Sequence, residues 1–143
     1  MVNETEDRMS PATAKVPSAH SREAIYSSAA SPDYVQGRRD FFKYRELAES
    51  DGEFRAQVVS TRQGMTEPTG WHYHVCGAQF IYILNGTLDL DLEDGRSIHM
   101  MAGDSLYIPG GMKHNETSTS DDVEILEVMM PKLEETVPCD APT

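Results

Sequence analysis

In the run Trp71-His72-Tyr73-His74-Val75 two histidines are separated by a single residue. On an extended strand successive side chains point to opposite faces, so both imidazoles share one face and can bind the same ion. Gln79 opens the next apolar run and shares its face with Ile81 and Ile83. Its amide therefore points inward among apolar side chains, where it needs a polar partner. His114 follows the rigid turn Pro109-Gly110-Gly111 at the opening of another short strand. Three imidazoles and one amide oxygen suit a single divalent transition-metal ion, whether Fe, Mn, Zn, Ni or Co. The residues alone leave a plainer reading open, in which Gln79 hydrogen-bonds the backbone and His72 and His74 are a surface pair on an edge strand.

Glu116 comes two residues after His114, so on a strand it shares that face and can act as a general acid or base, a role an amide cannot fill. Its plainer reading is a solvated carboxylate near Asp121 and Asp122. Arg55 and Gln57 alternate with Phe54, Ala56 and Val58, which is ordinary strand patterning. Trp71 and Tyr73 face away from the two histidines by parity. Cys76 is close to the site and reads as a small buried residue. His20 and His99 read as solvent-facing.

The elements that must hold these residues are short. Runs rich in β-formers are punctuated by Gly, Asn, Asp and Pro about every 8 to 12 residues, the spacing of an all-β barrel or sandwich. Strands are predicted at 41–47, 53–60, 71–75, 78–84, 87–92, 97–101, 105–108, 112–117 and 123–130. Strict alternation over 87–92 puts Leu88, Leu90 and Leu92 on one face, which must look into a core. Asn85-Gly86 and Asp94-Gly95 suit two-residue hairpins, predicting three antiparallel strands in succession.

Residues 1–36 are rich in Ser, Ala, Pro, Thr and charge, and gain too little burial to offset the entropy of ordering; they are read as a flexible N-terminal arm. The barrel domain is assigned to 37–131 and a C-terminal tail to 132–143. The 12 Lys and Arg against 24 Asp and Glu leave a formal net charge of -12, which repels phosphate backbones and anionic membrane surfaces. No nucleic acid or membrane partner is expected. There is no apolar run of the roughly 18 residues a membrane span needs, nor the apolar centre of a signal peptide, so the protein is read as cytoplasmic. Cys76 and Cys139 are too few for a disulfide framework and are read as reduced.

Two motifs carry a family resemblance. His72-x-His74, four residues, Gln79, six residues and Gly86 resemble the first motif of the cupins, in which Glu usually stands at the position of Gln79. Gly103, Pro109-x-Gly111 and His114 are similar to the second. The likeness covers about residues 41–131 and implies a jelly-roll barrel with the metal inside, held by His72, His74, Gln79 and His114. Three positions depart from the pattern. Thr66 stands where a glycine is usual, Ser118 where an asparagine is frequent, and Gln79 for the glutamate. A carboxylate would neutralise half the charge of a divalent ion and an amide neutralises none, so the site should stay more Lewis-acidic and favour anionic oxygens such as an enolate. On this reading Gln79→Glu keeps the geometry and holds metal at least as tightly.

The ligand pattern is similar to that of cupins that include diketone-cleaving dioxygenases, polyketide cyclases and hydroxynitrile lyases. The resemblance implies a metal-dependent enzyme acting on a small oxygen-rich organic molecule, with dioxygenase, lyase or cyclase chemistry; the alternative is a non-catalytic metal- or metabolite-binding module. The predicted strand 123–130 is apolar on both faces, and one barrel covers only one of them, so a homodimer is expected.

Overall fold

Leu88, Leu90 and Leu92 are 1–3% exposed while the residues between them are half-buried, as period-two alternation over one core requires. The computed structural model describes residues 23–50, 52–131 and 135–143. His20 and most of the segment read as an arm lie outside the described residues. The strands in chain order are β1 (Val35–Gln36), β2 (Lys43–Ser50), β3 (Phe54–Ser60), β4 (His72–Val75), β5 (Ala78–Asn85) and β6 (Thr87–Leu92). They continue with β7 (Ser97–Met101), β8 (Ser105–Pro109), β9 (His114–Thr119), β10 (Glu124–Met130) and β11 (Glu135–Pro138). Among the described residues there is no helix, and so none long and apolar enough to cross a membrane.

The strands form two antiparallel sheets, ordered β1-β2-β3-β10-β5-β8 and β11-β4-β9-β6-β7. Ile81, Ile83, Ile108, Ile125 and Val59 of the first meet Leu88, Leu90, Leu92 and Met100 of the second in one core, closed by Phe41 and Phe42. Each such side chain contributes about 1.5–3 kcal/mol on burial, the main source of stability in a fold without helices.

Two local readings need correction. Asn85-Gly86 does not close a hairpin, because β5 and β6 lie in different sheets and the turn carries the chain across. Gly86 does have the positive φ expected, +74°, but it is packed against the 120–123 segment, where a Cβ would sit 2.3 Å from Ser120 Oγ. Asn85 Nδ2 donates to the Asp122 carbonyl and Thr87 N to Ser120 Oγ, so the turn's polar groups serve that crossing instead of a ladder. The second turn does join a hairpin, β6 to β7, but through a longer loop. Gly95 N donates to Leu92 O and Leu92 N to Arg96 O, with Gly95 at φ +90°, the three-residue loop that ends on a left-handed glycine.

β1 and β11 carry no sequence signal, being two and four residues long. Both matter for position. β1 pairs with β2 through Val35 and Gln36, and β11 runs along β4 with Thr136 opposite His74. On the other side of β4, His72 pairs with His114 of β9. The turn before β9 is laced to the β4–β5 turn by Gly110 N to Gly77 O and Gly111 N to His74 O. The backbones come so close there that a Cβ on Gly110 would lie 1.7 Å from Cys76 O.

Candidate metal centre

These pairings bring the imidazoles of His72, His74 and His114 together with potential ligand atoms all within 4.8 Å of one another. In every ring Nδ1 is taken by the protein. His72 Nδ1 lies 2.8 Å from Gly70 O, His114 Nδ1 2.9 Å from Met112 O and His74 Nδ1 3.0 Å from Thr136 Oγ1. A carbonyl can only accept, so in His72 and His114 the proton is on Nδ1 and Nε2 carries the lone pair. His114 is fully buried, and its Nε2 has no hydrogen-bond partner. A buried acceptor left unpaired costs about 1–3 kcal/mol, which a metal ion at that nitrogen would offset. Burial, then the neighbouring His114 and His72 rings, lower the pKa of His74 to about 4. Burial likewise lowers that of His114. Both rings are thereby kept in the unprotonated form a metal requires.

Glu116 is not a solvated loop carboxylate. It stands on β9 beside the histidines, Oε2 3.6 Å from His72 Nε2 and Oε1 3.7 Å from His114 Nε2, and it accepts a 2.6 Å hydrogen bond from Thr69 Oγ1. Burial alone would raise its pKa, but His114, His72 and the Thr69 hydroxyl together hold it below the usual carboxylate range.

Gln79 lies across the barrel, buried on the inner face of the six-stranded sheet as its parity with Ile81 and Ile83 requires. Its side chain does not bond the backbone. Nε2 donates to Glu127 Oε1, and Oε1 is buried without a partner. Glu127 accepts a second amide bond, from Gln57 Nε2, at Oε2. Burial pushes the Glu127 carboxyl up, against the pull of the two amides. The three clustered imidazoles, with the buried His114 Nε2 unpaired, fit a borderline divalent cation; Gln79 Oε1, on the other sheet, is a second buried acceptor without a partner.

A cavity of about 340 Å³ is lined by His72, His74 and Glu116, with Phe42, Tyr44, Trp71, Arg38 and Arg39 also among its walls. Trp71 precedes β4, so strand parity does not govern it; it lines the cavity instead of facing away. Tyr44 projects into the same cavity, its ring so close to Gly37 that a Cβ there would lie 2.1 Å from it, and burial raises its phenol pKa above the ordinary value. Cys76 is half-buried in the β4–β5 turn outside this lining. His99 is exposed and bonded to Asp89, and Arg55 pairs with Glu46 at 3.4 Å. Thr69, Thr136, Tyr44 and Glu127 carry no sequence signal as site residues, since contacts such as Thr69 to Glu116 and Thr136 to His74 join residues 47 and 62 positions apart.

Comparison with known proteins agrees with this fold. The family described as "Cupin domain" matches residues 59–129. The polyketide synthase CurC of Streptomyces cyaneus is 35% identical over 51 residues, 36% of this chain; the match spans only 32% of that longer protein. Among solved structures, the polyketide cyclase RemF from Streptomyces resistomycificus superposes with a TM-score of 0.66 at 19% identity, covering 84% of this chain and 90% of RemF. KdgF from Halomonas sp. superposes with a TM-score of 0.65 at 18% identity, covering 78% of this chain and 96% of KdgF.

Proposed function

Residues 59–129 are a cupin domain, and from that premise we propose that the chain is a metal-dependent cupin enzyme acting on a small oxygen-rich organic molecule. His72, His74, His114 and Gln79 would hold one divalent transition-metal ion. The observation that carries the reading is the set of three imidazoles tied down at Nδ1, with the buried His114 Nε2 left unpaired. When bound, the ion would supply Lewis acidity, polarising a carbonyl or stabilising an enolate.

The remaining steps belong to the chain's own side chains. Glu116, braced by Thr69, takes a proton from the substrate or returns one at its carboxylate oxygens. Phe42, Tyr44 and Trp71 form a cavity wall that excludes water from one side of a small ligand. A cavity of about 340 Å³ fits a molecule at the small end of the usual ligand range. Lyase and cyclase chemistry follow if the ion is zinc or manganese, and dioxygenase chemistry if it is iron. The cyclase RemF and the polyketide synthase CurC support an oxygen-rich substrate. A non-catalytic binding module needs no ionisable group between two of its ligands; Glu116 is what favours an enzyme. We also propose a homodimer, supported by the apolar outer face of the six-stranded sheet.

Protein purified without added metal is expected to carry close to one transition-metal ion per chain by elemental analysis. The double variant His72→Ala, His74→Ala should lose most of it, since removal of ligands exceeds the roughly 10- to 100-fold effect of changing their supports. Wild-type metal content in that variant would overturn the site.

A further inference from the structure

Glu127 is a buried carboxylate that the proposed chemistry does not use. It lies on the inner face of β10, between β3 and β5. Gln57 is its direct cross-strand partner, and Gln79 sits diagonally, opposite Met129. Each carboxylate oxygen accepts one amide bond, Oε2 from Gln57 Nε2 and Oε1 from Gln79 Nε2. Packing alone does not call for a carboxylate here, because burying one is costly and an apolar residue of similar volume fills the same space.

A primary amide has a donor end and an acceptor end. A buried glutamine with no fixed partner can present either one to its surroundings, and an NH2 group turned toward a cation offers it no lone pair. A carboxylate can only accept, so at Gln79 the NH2 end must be the one that meets Glu127, which turns Oε1 to the other side of Cδ. That oxygen is buried and has no partner. Gln57 holds the second oxygen, which stops the carboxylate from rotating away.

Resting on the metal-site reading above, we propose that Glu127 is a positioning residue: it captures the donor end of the Gln79 amide and so aims the Gln79 carbonyl oxygen at the ion held by His72, His74 and His114. The same contact accounts for the amide at position 79, since a glutamate there would set two carboxylates against each other.

The test uses Co2+ as the probe, with affinity from competition against a chromophoric chelator and coordination from the visible absorption of the bound ion. Glu127→Leu should weaken Co2+ binding by about 10- to 100-fold and change the spectrum. Gln57→Leu, which removes the bond that steadies the carboxylate but leaves its contact with Gln79, should weaken Co2+ binding less than Glu127→Leu does. Gln79→Glu alone should bind poorly. The swap Gln79→Glu with Glu127→Gln restores one donor and one acceptor at every contact and should recover Co2+ binding to wild-type strength or better. If His72→Ala, His74→Ala binds Co2+ as the wild type does, the metal-site reading itself fails. If that variant loses Co2+ while Glu127→Leu keeps wild-type affinity and spectrum, the positioning role alone is overturned. Should Glu127→Leu not fold, the wild-type chain labelled with 13C and 15N at glutamine reads the same point on adding Zn2+. The side-chain carbonyl carbon of Gln79 should shift together with the histidine rings, and histidine shifts without it would equally overturn the proposal.

Discussion

His72, His74 and His114 show how much of a site lies in atoms that do not face it. Each ring is oriented by what Nδ1 touches: two backbone carbonyls within two residues, and the Thr136 hydroxyl contributed by β11. The two local bonds follow from chain geometry. The third depends on a residue 62 positions away, which no local pattern announces. The same contrast separates Gln79 from Glu127. The inward direction of Gln79 is legible from parity with Ile81 and Ile83, but its partner is legible only once β10 is known to lie beside β5. This changes one expectation outright. On the sequence alone Gln79→Glu is a clean addition of charge beside the ion. In the structure it places a second carboxylate against Glu127 Oε1, where an amide now donates. An uncompensated buried charge costs roughly 3–5 kcal/mol. Metal-free Gln79→Glu should therefore unfold at distinctly lower urea concentration than the wild type, and an unchanged midpoint would show that the two side chains separate.

At the scale of elements, what was legible was what depends on a strand's own residues. The nine predicted strands are present with small shifts in their ends, because alternation and turn residues act within each run. What could not be read is which strand pairs with which. Asn85-Gly86 carries the same turn chemistry whether it closes a hairpin or leads into the opposite sheet. The packing of Gly86 on Ser120 decides, and that contact is 34 residues away. Gly110 is the corresponding device beside the site. It has ordinary backbone angles, so it is required for closeness, its Cα passing where a Cβ would overlap Cys76 O. Gly110→Ala must push the 109–111 turn away from the β4–β5 turn and strain the bond from Gly111 N to His74 O. Overpacking of this kind costs about 1–3 kcal/mol. The larger consequence is a displacement of His114 relative to His74, since Gly110 lies between the strands that carry them. Metal affinity by calorimetry should fall in Gly110→Ala even where circular dichroism shows the barrel intact. Affinity equal to wild type would mean the two turns move as one body.

For the molecule as a whole, the unresolved contrast is between its charge and the outer face of its larger sheet. β10 is apolar on both faces, as the sequence suggests, with one exception. Its inner face holds Ile125 and Met129 around the buried Glu127, and its outer face Leu126 and Val128. Cross-strand pairing extends the outer row, Leu126 opposite Tyr82 and Val128 opposite Phe80, with Phe80 opposite Tyr107 on the next strand. Tyr107 is 58% exposed and Leu84 45%, on a face that the described residues do not cover. Monomeric proteins rarely leave contiguous apolar patches of more than a few hundred Å² open. A second copy of the same face is a self-complementary cover. Against this, two chains of formal charge -12 repel each other. That repulsion is long-ranged and falls as the Debye length shrinks from about 30 Å at 0.01 M salt to about 8 Å at 0.15 M, while apolar contact is not weakened by added salt. The proposed dimer through this face should therefore strengthen with ionic strength, the opposite of an assembly held by ion pairs. Light scattering at micromolar concentration should give twice the chain mass at physiological salt, with dissociation favoured at low salt. Tyr82→Glu, which adds charge at the centre of the patch, should give monomers at both. A wild-type chain that is monomeric at all salt concentrations would refute the dimer and leave this face for a different partner.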